Sequence, residues 1–364
     1  MSRQQVWAVV LAGGEGIRLR SLTQLISGGE DRPKQFCRVY GGKTLLAHTR
    51  ARLARAIHPE RTAFVLVKTH EKFYRNELAD VSPHQLIVQP GNKGTTAAVV
   101  CSLLRVTSLA GDPVVAFFPT DHYYANESEF TFSVDRAVRV AQHHSNWLVV
   151  LGAEAERAEV EYGWIEPGTK LSTPFTNALL RVHRFWEKPS QDTAQALFAR
   201  GCLWNTFVMA GRASVFLELL GNLLAPDVLD AFMAARQYKH EPGNLPSDKL
   251  WASLTAGDFS HQVLTHGTQR LAVLRVGDIG WSDLGTPERV RPRWLDLAFA
   301  PGGRMLMKLS TLKIWLRRLF RSRHHLRPAQ DGEQDAPYFE FWIRAYRQKL
   351  ESERRGSQAA EPGK

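Results

Sequence analysis

Short apolar runs alternate with longer amphipathic stretches through the first half of the chain. The short runs predict buried strands at residues 6–11, 62–67, 86–89, 114–118 and 147–152. Apolar positions three and four apart predict helices between them, at residues 45–57, 70–78, 95–109 and 130–143. This β-α-β order predicts an α/β domain with a mainly parallel sheet and right-handed crossovers. Ligands of such sheets bind beyond the carboxyl ends of the strands.

The second half of the chain has a less regular pattern. It predicts strands at residues 162–167 and 179–185, and helices at residues 193–200 and 214–224. The pattern changes after Pro292. We therefore expect one domain over residues 1–292, a basic helical extension over 293–327, and a linker, short helix and polar tail over 328–364.

The composition is that of an ordinary globular protein. Of the 364 residues, 44% are hydrophobic and 23% charged, which suits one large domain with a small appendage. The three cysteines lack the number and spacing of a disulfide framework, so we expect reduced thiols. The first residues lack a signal-peptide pattern, and no apolar run approaches the roughly 20 residues that a membrane-spanning helix needs. We therefore expect a cytoplasmic protein.

Most of the net charge of +11 comes from one segment. Residues 301–327 hold eight arginines and lysines and no acidic residue. Apolar residues spaced four and three apart predict a basic amphipathic helix at 305–323. We expect this helix to pack against the domain or a partner subunit; peripheral contact with the anionic inner face of a membrane is the alternative. Nucleic-acid binding is not expected, because no nucleic-acid module accompanies the charge.

The strongest chemical signal comes directly after the first predicted strand. Residues 11–19 read Leu-Ala-Gly-Gly-Glu-Gly-Ile-Arg-Leu, and residues 32–36 read Arg-Pro-Lys-Gln-Phe. A glycine-rich turn lets backbone N–H groups approach a triphosphate, and Arg18 and Lys34 supply cations for the same anion. The glycine spacing matches neither the dinucleotide-binding pattern nor a P-loop. Together the two segments predict a phosphate site rather than a purely structural turn.

Six further motifs follow in order along the chain. They are Gln-Pro-Gly-Asn-Lys-Gly-Thr-Thr-Ala at 89–97, Pro-Thr-Asp-His at 119–122, Tyr-Gly-Trp-Ile at 162–165, Glu-Lys-Pro at 187–189, Leu-Trp-Asn-Thr at 203–206 and Gly-Trp-Ser-Asp-Leu-Gly at 280–285. With the glycine-rich segment and Pro-Lys-Gln-Phe, the chain resembles the sugar-1-phosphate nucleotidyltransferases. The form Pro-Lys-Gln-Phe is closest to the mannose-1-phosphate guanylyltransferase branch of that family.

The resemblance implies a fold and a reaction. The fold would be a three-layer, Rossmann-like domain of the glycosyltransferase-A type. The reaction would join mannose 1-phosphate to GTP, giving GDP-mannose and pyrophosphate, with Mg²⁺ as the cofactor. One alternative is a thymidylyl-, uridylyl- or adenylyltransferase for another sugar phosphate. A second alternative is a catalytically silent regulatory subunit of the same fold. We also expect a homo-oligomer.

The resemblance also assigns roles to individual residues. The catalytic cations would be Arg18 on the β- and γ-phosphates, Lys34 on the α-phosphate and Lys188 on the sugar phosphate. Asp121 and Asp283 would hold the Mg²⁺. The nucleotide would contact Leu11, Ala12, Gly13, Gly14, Gly16, Gln89, Gly94 and Thr95. The sugar would contact Gly163, Glu187 and Asn205.

The chain departs from the family pattern at three places. The segment 91–98 lacks the arginine-asparagine pair of the usual base loop. The base loop therefore gives less support to guanine as the base than the other motifs do. The hydroxyls of Thr95 and Thr96 suit either the base or the cap of the following helix. The loop between Arg18 and Lys34 is longer than usual, with residues 27–31 inserted. Residues 206–209 replace a small, glycine-containing segment beside the sugar pocket.

Overall fold

The structure is a computed structural model that describes residues 6–223, 251, 256–277, 279–287 and 289–290. The predicted basic extension at 293–327, with its helix at 305–323, lies outside the described residues, as does the predicted tail at 328–364. The described residues include every position assigned above to the phosphate, metal, base and sugar sites.

Strands and helices alternate along the described chain. The strands are β1 Val6–Leu11, β2 Thr62–Val67, β3 Leu86–Gln89, β4 Val114–Pro119, β5 Tyr123–Tyr124, β6 Leu148–Glu154, β7 Gly163–Lys170, β8 Leu179–Glu187, β9 Leu203–Arg212, β10 Leu271–Val276 and β11 Trp281–Ser282. The α-helices are α1 Arg20–Ile26, α2 Leu45–Leu53, α3 Glu71–Tyr74, α4 Gly94–Ala110, α5 Glu127–His143, α6 Gln191–Ala199 and α7 Ala213–Leu223.

One large sheet runs through the described domain, in the order β3-β2-β1-β4-β9-β6-β10-β8-β7. The four strands β1 to β4 pair in parallel, as do β6 and β10. β9 pairs antiparallel with both β4 and β6, and β8 pairs antiparallel with both β7 and β10. The α/β class is therefore confirmed. Seven of the nine strands run in one direction, and β8 and β9 run in the opposite direction, so the sheet is mainly parallel in direction but mixed in its pairings.

Helices cover both faces of the sheet. Alternate residues of β1 point to opposite sides: Ala8 and Val10 join one buried cluster, while Trp7 and Val9 join the other. The first cluster includes residues of α2, α5 and α6, and the second includes residues of α4 and α7. The domain therefore has the three-layer architecture that the resemblance implied.

Candidate active site

The glycine-rich turn after β1 is held by a buried side chain. The amide of Gln35, which is 1% exposed, donates hydrogen bonds to the carbonyls of Ala12 and Gly14 at 2.8 and 2.9 Å. Gly16 has a φ of 65°, and a Cβ there would lie 3.1 Å from the Cγ of Lys34 and 3.2 Å from its backbone nitrogen. Glycine at this position therefore lets the turn and the Pro-Lys-Gln-Phe segment pack together.

Lys34 and Asp121 form an ion pair at the carboxyl ends of β1 and β4. The hydroxyl of Thr120 donates to the carbonyl of Leu11 at 2.9 Å, which fixes the end of β4 against β1. Burial by itself raises the pKa of Asp121, but the Lys34 ammonium outweighs it and the pKa is lowered. The Asp121 carboxylate is therefore ionised at neutral pH.

A two-stranded ribbon brings Asp283 to the neighbourhood of Asp121. β11 pairs antiparallel with β5, and Ser282 lies opposite Tyr123. Because Asp121 precedes β5 and Asp283 follows β11, both carboxylates leave the ribbon at the same end. The contact between the two segments joins residues that are far apart in the chain.

His122 is a buried, neutral imidazole beside both carboxylates. Its Nδ1 accepts a hydrogen bond from the indole N–H of Trp281 at 3.1 Å, so Nε2 carries the ring proton. Burial lowers the pKa of His122, and the charges of Asp121 and Asp283, which favour protonation, do not reverse this effect. His122 therefore adds no positive charge here at neutral pH.

Three donors orient the Asp283 carboxylate. Arg289 donates to its two oxygens at 2.9 and 3.0 Å, and the Tyr162 hydroxyl and the Gly285 N–H each donate at 3.0 Å. The Arg289 guanidinium lies 4.4 Å from the centre of the Tyr162 ring and 3.1 Å from a carboxylate oxygen of Glu159. Arg289 is thus the principal counter-ion of Asp283, as Lys34 is of Asp121.

Arg18 is held by a carboxylate from the second half of the chain. Its guanidinium lies 2.6 Å from Glu161, and both side chains are about half exposed, at 51% and 46%. Glu161 precedes Tyr162 and Gly163, so the segment 159–163 contacts Arg18, Arg289, Asp283 and the sugar-side strands. We call this segment the junction.

The three residues assigned to the sugar lie together on β7, β8 and β9. Gly163 is paired with Glu187 in the β7–β8 register. A Cβ on Gly163 would lie 3.0 Å from a carboxylate oxygen of Glu187 and 3.3 Å from the Cβ of Asn205. A side chain at residue 163 would therefore fill the space between Glu187 and Asn205.

Glu187 is a partly buried carboxylate, 14% exposed, with a weak counter-ion. Burial raises its pKa, and the charge of Asp258 raises it further, while Lys188 acts in the opposite direction from 3.6 Å. Lys188 has a φ of 44°, which is unusual for a residue with a side chain. The ammonium is about half exposed, at 52%, and available to an anion.

The segment that carries Gly94 and Thr95 packs against the chain itself. A Cβ on Gly94 would lie 2.2 Å from the carbonyl oxygen of Gly257, so this glycine is required by a backbone contact. The Thr95 hydroxyl accepts a hydrogen bond from the Phe259 N–H at 2.8 Å, and the Thr96 hydroxyl donates to Gln262 at 2.6 Å. Both hydroxyls are thus engaged with residues 256–262, and neither caps the helix that follows.

Gln89, at the end of β3, holds an unsatisfied polar group near the glycine-rich turn. Its side chain is 2% exposed, and its amide nitrogen has no hydrogen-bond partner within the described residues. Its amide oxygen lies 3.7 Å from where a Cβ on Gly13 would stand. A buried amide without a partner is unfavourable unless a ligand completes it.

The donor set fits a metal ion that arrives with phosphate. Asp121 and Asp283 offer the carboxylate oxygens that Mg²⁺ prefers. No group of three potential metal-binding side chains occurs among the described residues. The two carboxylates therefore suit an ion whose other ligands come from phosphate oxygens and water, as is usual for Mg²⁺ in phosphoryl-transfer sites.

Sequence reasoning missed four residues of this arrangement. Gln35 lies inside a recognised motif, but its role appears only in its hydrogen bonds to the glycine-rich turn. Tyr162 begins the Tyr-Gly-Trp-Ile motif, but its hydrogen bond to Asp283 was not predicted. Glu161 precedes that motif, and Arg289 follows the last motif without belonging to it. A glutamate before a motif and an arginine after one carry no sequence signal of their own.

The pattern of the nucleotidyl transferase family matches residues 7–291. The chain therefore belongs to the nucleotidyl transferase family. It is 28% identical over 291 residues to a mannose-1-phosphate guanylyltransferase of Escherichia coli (strain K12), covering 79% of this chain and 59% of that protein. It is 30% identical over 288 residues to the xanthan biosynthesis protein XanB of Xanthomonas campestris pv. campestris (strain ATCC 33913), covering 77% and 58%. The chain thus spans less than two thirds of the length of these curated relatives.

A solved structure is similar over most of both chains. It is described as the mannose-1-phosphate geranyltransferase of Thermus thermophilus, with 27% identity and a TM-score of 0.65. The match covers 77% of this chain and 76% of that one. No helix in the described part of this chain is both long enough and apolar enough to span a membrane.

Proposed function

We propose that this chain transfers a guanylyl group from GTP to mannose 1-phosphate, giving GDP-mannose and pyrophosphate. The observation that carries the proposal is the Lys34–Asp121 pair beside the glycine-rich turn, in a domain that also gathers Gly163, Glu187 and Asn205. The names of the Escherichia coli and Thermus relatives support mannose 1-phosphate as the acceptor. The Xanthomonas relative supports a use of the product in polysaccharide synthesis.

The reaction requires positioning and charge neutralisation rather than a protein nucleophile. An oxygen of the sugar phosphate forms a bond to the α-phosphorus, and the bond from that phosphorus to the bridging oxygen breaks. Pyrophosphate leaves with the electron pair of the broken bond. The protein must therefore hold two anions in line and stabilise the charge on the leaving group.

The triphosphate would lie on the turn from Leu11 to Gly16. Backbone N–H groups and Arg18 would bind the β- and γ-phosphates, and Lys34 would bind the α-phosphate. In this arrangement the α-phosphate replaces Asp121 as the counter-ion of Lys34. Arg18 likewise exchanges Glu161 for a phosphate, an exchange made easier by the exposure of this pair.

Asp121 and Asp283 are the residues that would hold Mg²⁺. Bound there, the ion supplies positive charge to the phosphate oxygens. Arg289 and Tyr162 keep Asp283 in place, and the conformation of the carboxylate is therefore set before any ligand arrives. In the same way, the ion pair with Lys34 keeps the Asp121 carboxylate in place before a ligand binds.

The sugar phosphate would bind on the other side, at β7, β8 and β9. Lys188 would pair with its phosphate, and Glu187 and Asn205 would hydrogen-bond the sugar hydroxyls. Gly163 leaves room for the ring because a side chain there would meet both of them. For the base, the hydroxyls of Thr95 and Thr96 are already engaged, and the buried Gln89 amide would have to become exposed before it could bind a base.

Assembly and location remain predictions from the sequence. We infer that the chain works in the cytoplasm and forms a homo-oligomer. For the segment 305–323, the sequence predicts packing against the domain or a partner subunit, with contact to an anionic membrane as the alternative.

Pyrophosphate release over a grid of substrates tests the function. GTP, ATP, UTP and dTTP are each combined with mannose, glucose and galactose 1-phosphates in Mg²⁺. We expect GTP with mannose 1-phosphate to give a kcat/KM at least about 10-fold above any other pair, a difference of about 1.4 kcal/mol. A higher value with dTTP or UTP contradicts the guanylyl assignment. Absence of turnover with every pair contradicts an active transferase and favours the silent subunit.

A further inference from the structure

An open cavity lies beside α2 and α3, lined by none of the residues assigned to the reaction. Its volume is about 490 Å³, which lies within the range of pockets for small metabolites. Gly42 and Thr44 line it from the turn before α2, and Phe73 lines it from α3. The Thr44 hydroxyl contacts Glu77 on its wall.

The lining is strongly basic. Arg32, Arg38, Lys43 and Lys72 contribute four cations, and Glu77 contributes one carboxylate. Among the described residues, neither Arg38 nor Lys43 forms an ion pair, and both side chains are exposed. Cations gathered at one cavity repel one another unless an anion joins them. The cavity therefore favours a ligand with negative charge.

The other two cations of the cavity, Arg32 and Lys72, are paired with a carboxylate of the chain itself. Glu30 accepts hydrogen bonds from Arg32 at 2.7 and 3.1 Å and from Lys72 at 3.2 Å. Glu30 belongs to the insertion at residues 27–31 that lengthens the loop between Arg18 and Lys34. Arg32 and Lys72 can thus hold a carboxylate, and Glu30 competes with any external anion for them.

The cavity is connected to the glycine-rich turn by aromatic packing. Arg32 and Lys72 lie 5.2 and 4.6 Å from the centre of the Phe73 ring. Phe73 stacks on Phe36, with centroids 5.8 Å apart and planes at 19°. Phe36 follows Gln35, which holds the turn, and Arg32 precedes Pro33 and Lys34. A ligand that moves Arg32 or Phe73 therefore acts directly on the segment carrying Lys34.

We propose that this cavity is a regulatory site for a phosphorylated small metabolite. The phosphate binds Arg38 and Lys43 and displaces Glu30 from Arg32 and Lys72. Its occupancy changes the affinity of the catalytic site for the nucleoside triphosphate, through residues 32–36. The site is separate from the proposed substrates, and its binding is measurable without turnover.

Calorimetric titration of the full chain tests the site, with glucose 1,6-bisphosphate and inorganic phosphate as probes. The double variant Arg38→Gln/Lys43→Gln should weaken binding of the bisphosphate at least 10-fold. The charge-matched control Lys170→Gln/Arg184→Gln removes two exposed cations from β7 and β8 and should leave the affinity unchanged. Glu30→Gln removes the internal competitor and should tighten binding two- to tenfold. Tighter binding of the bisphosphate supports an organic metabolite, and equal binding supports free phosphate as the occupant.

A Lys188→Met variant separates this cavity from the catalytic site. If the probe binds the basic cavity, this variant keeps the wild-type affinity. Loss of binding in Lys188→Met with normal binding in Arg38→Gln/Lys43→Gln places the probe in the catalytic site and overturns the proposal. Absence of binding of either probe to the wild-type chain at 10 mM also overturns it. Neither result depends on which substrates the enzyme uses. Failure of this proposal can therefore be distinguished from failure of the proposed function.

Discussion

The two halves of the large sheet build their parts of the candidate site in different ways. In the parallel half, Arg18 and Lys34 lie in short 3-10 turns of the segment after β1, and Asp121 lies in the loop after β4. In the antiparallel half, Gly163, Glu187 and Asn205 lie within the strands β7, β8 and β9. The phosphate side thus depends on loop conformation, and the sugar side depends on strand register.

The two halves also differ in the pKa shifts of their carboxylates and in the backbone conformation of neighbouring residues. Asp121 has an adjacent ammonium that lowers its pKa, whereas the pKa of Glu187 is raised by burial and by Asp258. The described residues other than glycine with positive φ are Lys188, Phe207 and Leu284, and each lies one or two residues from Glu187, Asn205 or Asp283. Backbone strain therefore lies next to residues assigned to the sugar and the metal by the resemblance, and such strain is typical of functional sites.

The largest expected effect comes from the two carboxylates that connect the halves. We expect Asp121→Asn and Asp283→Asn each to lower kcat at least about 100-fold, because each removes charge that would hold Mg²⁺ on the phosphates. Circular dichroism should show folded protein in both cases. Asp192→Asn, at an exposed position on α6, is the control and should be unaffected. Turnover near the wild-type level for either variant would exclude that residue from the metal site.

The next prediction separates the two anion sites. We expect Lys188→Met to raise the KM for the sugar phosphate about 10- to 100-fold, the range for losing a hydrogen bond to a charged group, and to leave the KM for the triphosphate unchanged. Lys34→Met should raise the KM for the triphosphate and lower kcat as well. Arg184→Met, on the same strand as Glu187, is the control. An equal change in both KM values in Lys188→Met would contradict the division into two sides.

The difference between the two halves of the sheet also explains which strands could be predicted from the sequence. β1, β2 and β3 have the predicted bounds. β1 and β2 are buried almost throughout, and such parallel strands are continuous apolar runs. β9 was not predicted: it is buried along most of its length, so it shows no alternation, and Asn205 and Thr206 interrupt its apolar run. β10, Leu271–Val276, was also missed, although its apolar run is as clear as that of β1 and meets the same criterion.

Six of the seven described α-helices were predicted in place but not always in length, and α1, Arg20–Ile26, was not predicted. The pattern at 70–78 predicts a helix, yet only Glu71–Tyr74 is α-helical, after a 3-10 turn at Lys68–His70. Periodicity reports which face is buried, and a series of turns buries the same positions as a helix. α5, Glu127–His143, begins three residues before the predicted start because Asn126 caps it.

For the candidate site, the sequence indicated which residues carry charge or polar groups but not which other residues they contact. The ion pair of Arg18 with Glu161 joins residues 143 positions apart, and Tyr162 reaches Asp283 across 121 positions. Only the order of strands brings these segments together, and that order depends on the unpredicted β9 and β10. The junction at 159–163 therefore could not be inferred from local patterns.

A smaller effect is expected from adding a methyl group to the glycine-rich turn at Gly14. Nothing lies within 4 Å of a Cβ on Gly14, and its φ is not positive, so Gly14→Ala should leave the Tm unchanged. The methyl group would stand where phosphate oxygens approach the backbone, and we expect the KM for the triphosphate to rise about 10-fold. Gly94→Ala is the contrasting variant: its clash with the Gly257 carbonyl should cost about 3 kcal/mol or more of stability. An unchanged KM in Gly14→Ala would show that the phosphates do not lie on this turn.

The charge difference between the halves predicts a pH-dependent change in stability. Because the pKa of Glu187 is raised in the folded protein, its stabilising contribution is present below the unfolded value and is lost as the pH rises through the folded value. Glu187→Gln should therefore raise the Tm at pH 7–8 by about 1–3 °C, and the difference should vanish toward pH 4. The pKa of Glu159 is lowered despite its burial, by Arg157 among others, so Glu159→Gln should show the opposite sign. A lower Tm for Glu187→Gln at pH 8 would contradict this account.

The smallest expected effect tests whether the two halves suffice for the site. Every residue assigned to the reaction lies between Leu11 and Asp283, so deletion of residues 301–364 should leave kcat per folded molecule within about twofold. If the predicted basic helix at 305–323 packs on the protein, deletion lowers the Tm, and neither form binds vesicles. If it lies on a membrane, full-length protein sediments with anionic vesicles and is released by salt, while the truncated form does not, because each Lys or Arg near such a surface contributes about 1 kcal/mol. We expect packing. Salt-sensitive sedimentation together with an unchanged Tm would show that the helix serves a membrane instead, and a large loss of kcat would show that the tail completes the site.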